Sequence, residues 1–120
     1  MPDNVIVSKS EDLAVRIVNL YRLLRFERRE DVMSKQLLRC GTSIGANIAE
    51  AQCAQSRADF ISKIHIAYKE CRETRYWVRL LGRTNYMTET EAQSINGDLD
   101  EIHALLTSIL MSTKSRQATI

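Results

Sequence analysis

The run FISKIHIAYKECRETRYWVRLL, residues 60–81, decides the fold of this 120-residue chain. Its core-type side chains fall at Phe60, Ile64, Ala67, Cys71, Thr74, Val78 and Leu81, in alternating steps of four and three. Those steps track one face of an α-helix, whose 3.6-residue turn brings such positions into line. Just upstream stands Ser56-x-x-Asp59, a capping box in which a hydroxyl caps an amide and an acid reaches back. Gly82 follows as the expected stop.

The same grammar recurs on either side. A first ladder reads Leu13, Ile17, Leu20, Leu24, behind Ser8-x-x-Glu11. A fourth reads Ile95, Leu99, Ile102, Leu106, Ile109, behind Thr88-x-x-Glu91. Between the first and third lies Leu37, Gly41, Ile44, Ile48, Ala51, whose start is hidden within Arg25–Ser34 because no Gly or Pro cuts the chain there. The spacing predicts helices over about 8–27, 31–54, 57–82 and 89–112, with a frayed polar tail over 113–120. Four such helices on short connections pack most simply as an all-α, antiparallel up-down-up-down four-helix bundle, one domain over 1–120. Gly41, Gly45 and Ala49 recur every four residues, so the second helix is either shaped for close approach to a neighbour or simply tolerates its glycines.

Composition agrees. Only five residues are Gly or Pro, too few for a strand-and-turn protein of this size. Cys40, Cys53 and Cys71 are odd in number and form no C-x-x-C pair, which fits reduced thiols in a cytoplasmic protein. No apolar run approaches the roughly 18 residues of a membrane span. The first residues, MPDNVIV, lack the basic and long apolar regions of a signal peptide.

The formal charge is only +2, but it is unevenly spread. Residues 56–83 hold seven Lys or Arg against three Asp or Glu, whereas residues 84–120 hold two against five. On the side of the third helix opposite its ladder stand His65, Lys69, Arg72, Tyr76, Arg79 and Arg83. Cations at helical spacing with an interleaved aromatic suit phosphate contact and base stacking; a solvated helix face reads the same way. A second flank, Ile66, Glu70, Glu73, Trp77 and Leu80, sets two carboxylates in an apolar strip. These need partners, for which Arg39, Arg75, Asn47 or an Arg of a second subunit are candidates. Tyr68 and Trp77 are candidate anchors of a subunit interface, because the third helix carries more apolar surface than one bundle core needs; the competing reading is that Trp77 fills this chain's own core. The second helix adds a small, polar seam through Ser43, Asn47 and Glu50.

Catalysis finds little footing. There is no Ser–His–Asp order, no phosphate loop and no pair of Glu-x-x-His motifs of the di-iron kind, so neither an enzyme, a metal nor another cofactor is expected.

The stretch Thr42-Ser43-Ile44-Gly45-Ala46-Asn47-Ile48-Ala49-Glu50-Ala51, with Ser56-Arg57-Ala58-Asp59-Phe60-Ile61 and Ala67-Tyr68-Lys69-Glu70-Cys71-Arg72-Glu73-Thr74, resembles a bacterial family of four-helix bundles. That family was first recognised within intervening sequences of 23S ribosomal RNA genes, and the resemblance covers roughly residues 10–110. Many members follow the signature Glu with Gly and an aromatic; here Ala51 and Gln52 follow, so the helix is expected to run on before turning. The resemblance implies a homopentameric ring, with Ser43, Asn47, Glu50, Glu70 and Glu73 at the family's second- and third-helix positions. One branch resembles the accessory protein of diversity-generating retroelements, which partners a reverse transcriptase and binds nucleic acid. Two readings follow: a non-enzymatic oligomer that binds RNA, DNA or a nucleoprotein through the basic helix face, or a protein–protein scaffold on which that face only solubilises.

Overall fold

The computed structural model describes the backbone of residues 2–118 and the side chains of residues 5–113. Its elements are α1 (Pro2–Arg22), a π-helical turn (Leu23–Glu27), α2 (Met33–Ala51), α3 (Arg57–Arg83) and α4 (Glu89–Ala118). Each helix packs on the next, and α1 closes the ring against α4. The α2–α3 contact is the most extensive and the α1–α4 contact the least. Ion pairs along that last seam run Lys9–Glu101 and Arg16–Asp98, and Arg28–Glu91 continues them just past the π-helical turn, so partners advance along the first segment as they retreat along α4. The fold is therefore the expected antiparallel four-helix bundle, with extents of 52 × 22 × 22 Å.

All four apolar ladders point inward. Their members are buried except Phe60 and Ile109, which are half-buried at the margin of the core. The tight α1–α2 pairing has a visible cause. A Cβ added at Gly41 would lie 2.8 Å from Ile17 Cγ2, and one added at Gly45 would lie 3.3 Å from the Ser10 carbonyl oxygen. Both glycines face α1 and let its backbone come close, whereas Ala49 is exposed.

Helix ends depart from the expectation at the start of α2, which begins at Met33 instead of 31, and in four further places. First, α1 starts at Pro2, where a fixed φ suits the first turn and no amide donor is needed. Ile6 and Ser10 carry its buried side back from Leu13, and Ser8 lies inside the helix with its hydroxyl donating to the Val5 carbonyl at 3.3 Å. Second, α2 ends at Ala51 instead of running on to 54. The amides of Gln52, Cys53 and Ala54 donate to carbonyls three residues back, which tightens the chain into a turn.

Third, α3 passes straight through Gly82 and stops after Arg83. Asn85 adopts the left-handed conformation (φ 68°), and the amides of Tyr86 and Met87 return to the Leu81 carbonyl at 3.0 and 3.1 Å. Fourth, α4 is helical as far as Ala118, where a frayed tail was expected; residues 119–120 lie outside the described residues.

Start signals fared better at α3 and α4. Ser56 Oγ accepts from the Asp59 amide at 3.0 Å, and Asp59 in turn accepts from the Gln55 amide at 3.2 Å. Thr88 and Glu91 form a full reciprocal box, with amide-to-side-chain distances of 3.1 and 2.8 Å. The start of α2 is set by Glu30, a buried acid with no cation within ion-pair reach among the described residues. Its carboxylate accepts from the amides of Val32, Met33 and Ser34 at 3.1, 3.0 and 2.6 Å. Ser34 Oγ donates back to the Glu30 carbonyl at 2.7 Å.

Glu91 does double duty as clasp between the two hairpins. The Arg28 guanidinium donates to both its oxygens at 2.7 and 2.8 Å and to the Tyr86 carbonyl at 2.7 Å. These bonds, first those from Arg28 and then the Thr88 amide, hold the Glu91 carboxyl down at about 2. A folded-state value below the unfolded one means stability that is full above pH 4.5 and lost as pH falls toward 2. With solvent screening allowed for, the contribution at neutral pH is about 1–2 kcal/mol. Urea unfolding of the wild type and of Glu91→Gln should therefore differ at pH 6 and converge as the pH approaches 2. A difference that persists undiminished at low pH would rule out the charged clasp.

Among the described residues, no helix is long and apolar enough to cross a membrane.

Candidate nucleic-acid interface

Helix α3 presents three sides, each with its own neighbours. Its ladder is buried in the core. The side away from the core carries His65, Lys69, Arg72, Tyr76, Arg79 and Arg83, all exposed. At about 1.5 Å of rise per residue, these six span roughly 27 Å of helix.

The basic residues of this face differ from their neighbours in what they touch. Arg75, one position off the stripe, is bound to Asp100 of α4; Lys63 pairs with Glu50 at 3.4 Å. By contrast, Lys69, Arg72, Arg79 and Arg83 have no carboxylate within 4.0 Å among the described residues. A paired cation has most of its field cancelled locally, while an unpaired one projects it to whatever approaches. Four turns of α3 thus carry charge that no other described residue pairs with.

The aromatic within the stripe is braced from behind. Arg79 lies over the Tyr76 ring at 6.0 Å, and Tyr76 meets Trp77 edge-on at 5.0 Å. Trp77 is half-buried against the core and donates its indole N–H to Glu73 at 3.0 Å. Glu73 and Glu70 are both held by Arg39 of α2, the second at 3.3 Å. The Trp77 indole and then the Arg39 guanidinium pull the Glu73 carboxyl below its ordinary value. The two flank carboxylates therefore find their partner within the chain, and Arg39 is that partner. Arg75 and Asn47 serve elsewhere.

The remaining sequence candidates fall into place on either side. Ser43 and Asn47 are half-buried on α2, and each donates to a carbonyl one turn back at 2.8 Å. Glu50 is exposed and bound to Lys63. Tyr68 packs on the margin of the core between two histidines, with the His65 ring parallel at 6.1 Å and the His103 ring at 5.1 Å. Cys40 is fully buried, and burial pushes its thiol up to about 11, far from a nucleophile's range.

Two features escaped the sequence reading. One is a groove of about 860 Å³ where the end of α3 meets the start of α4, with Arg79 and Arg83 on its wall. The helix-ending Asn85 was its only local sign, since a groove between two helices depends on their crossing. The other is the exposed Phe26, 65% accessible, with the Arg25 guanidinium 5.3 Å from its ring centre. The arginine-rich run from Arg22 to Arg29 could have drawn attention to it.

Fold and surface together define the class: a four-helix bundle with an exposed basic face on its third helix. The chain belongs to the 23S rRNA-intervening sequence protein family, whose model matches residues 2–108. It is similar to a crystal structure of a protein of unknown function from the S23 ribosomal protein family of Bacteroides thetaiotaomicron. The two share 60% identity and a TM-score of 0.91, over 92% of this chain and 99% of that one. No curated protein matches the chain.

Proposed function

We propose that this protein is a non-enzymatic, oligomeric module that binds nucleic acid, or a nucleoprotein, through the outer face of α3. The observation that supports it most is the contrast in pairing: among the described residues Lys69, Arg72, Arg79 and Arg83 stand without carboxylates, while Arg39, Lys63 and Arg75 around them are paired. Phosphates are the partner such a row fits, because each contact releases condensed counterions. Assembly into a ring, a pentamer by the family resemblance, would repeat the face around the particle and strengthen its field. By the same resemblance the protein partner would be a reverse transcriptase, met in the cytoplasm.

Fluorescence anisotropy with a structured RNA tests this directly. If one face contributes four phosphate contacts, affinity should fall by roughly 50-fold between 50 and 200 mM salt. Light scattering on the same sample should give a multiple of the 13.8 kDa chain mass. No binding at 50 mM salt would sink the nucleic-acid reading, and a stable monomer at micromolar concentration would sink the assembly.

A further inference from the structure

We infer that the groove between the end of α3 and the start of α4 seats one unstacked nucleobase, which makes the ligand single-stranded. This rests on the reading of the α3 face as a nucleic-acid surface and deepens it. The groove's volume, about 860 Å³, is ample for a base and its sugar, within the range of small-ligand sites. Its floor is apolar, formed by buried Val78 and Met87 with half-buried Ala92, and suits the flat face of a base. Gly82 keeps that floor open: an added Cβ would meet Ala92 Cβ alone, at 3.7 Å, and would otherwise enter the groove.

Polar groups stand where a base edge would need them. Asn85 and Asn96 line the groove, and among the described residues neither carboxamide has a hydrogen-bond partner. Each offers both a donor and an acceptor, the pairing capacity that an unpaired base presents on its own edge. Of the groove's two carboxylates, one is neutralised by a cation and the other, at the exposed rim, accepts from a neutral amide. Asp100 is bound by Arg75, and Glu89 accepts from Gln93 at 3.3 Å. Arg79 and Arg83, unpaired on the wall, lie where the flanking phosphates of an inserted nucleotide would run. A duplex cannot use such a site without flipping a base, whereas a single strand inserts one at little cost.

The test compares a fluorescein-labelled single-stranded RNA 20-mer with its own perfect duplex, at 50 mM salt. Three proteins are used: wild type, Gly82→Leu, and the Arg72, Arg79, Arg83→Glu triple variant. Gly82 lies in a helix without positive φ, so leucine there fills the groove while favouring the helix. Wild type should bind the single strand at least tenfold more tightly than the duplex, and Gly82→Leu should lose about tenfold on the single strand alone. Equal wild-type binding to the two ligands would overturn the inference, whatever the variant does. So would a folded Gly82→Leu that binds the single strand like wild type; in both cases the basic-face reading survives if the triple variant fails to bind. If Gly82→Leu does not fold, Asn96→Ala replaces it, with a several-fold loss on the single strand expected and no change overturning the proposal. No wild-type binding to either RNA removes the underlying reading and this one with it.

Discussion

Reversing Arg72, Arg79 and Arg83 to glutamate should abolish nucleic-acid binding while leaving the bundle intact. Each swap changes the local charge by two units, so a row of attraction becomes a row of repulsion over about 16 Å of helix. The expected loss is at least about 100-fold at 50 mM salt, and the salt slope should fall from about −3 to near zero. Stability should barely move. None of the three makes an ion pair with another described residue, and all are exposed, so the change should stay within about 0.5 kcal/mol per site. The informative measurement pairs RNA titration with a thermal melt. Binding retained within about threefold, with an unchanged melt, would show that the face is only a solvated surface.

The second large effect belongs to the fold. Glu30→Ala should cost about 2–4 kcal/mol, because three amides at the start of α2 lose their acceptor in a buried place. For a domain of this size that is a fall of roughly 10 °C in melting temperature. Among the described residues no cation pairs with Glu30, so the amides and the helix N-terminus are what hold its carboxylate. Glu30→Gln keeps one side-chain oxygen and should lose about half as much. A drop below about 3 °C for Glu30→Ala would mean that the turn recaps itself by another route.

The same residue shows where the sequence stopped being readable. The ladders were legible because burial in a bundle is periodic, and every predicted core position except Phe60 and Ile109 is buried. Ser56 and Thr88 were legible because their caps act within three residues. Glu30 was not: it lies two residues before the helix cap, Val32, and reaches forward across it. Asn85, three residues past Gly82, displaced it as the stop: Asn85 takes the left-handed conformation, and the amides of Tyr86 and Met87 close the turn on the Leu81 carbonyl. On the surface, spacing alone placed six residues on one face of α3. It could not show which of its cations were already paired, since Arg75 and Arg79 look alike until α4 brings Asp100 to one of them.

That division of labour has an evolutionary side. The cations that hold the bundle together are tied to particular acids, Arg28 and Arg75 to one each and Arg39 to two, so changing one strands its partners. Lys69, Arg72, Arg79 and Arg83 carry no such obligation. A lineage can rewrite them one at a time, or erase them, without disturbing a single buried contact. The outer face of α3 is thus a place where related bundles can part company in what they recognise while keeping one scaffold.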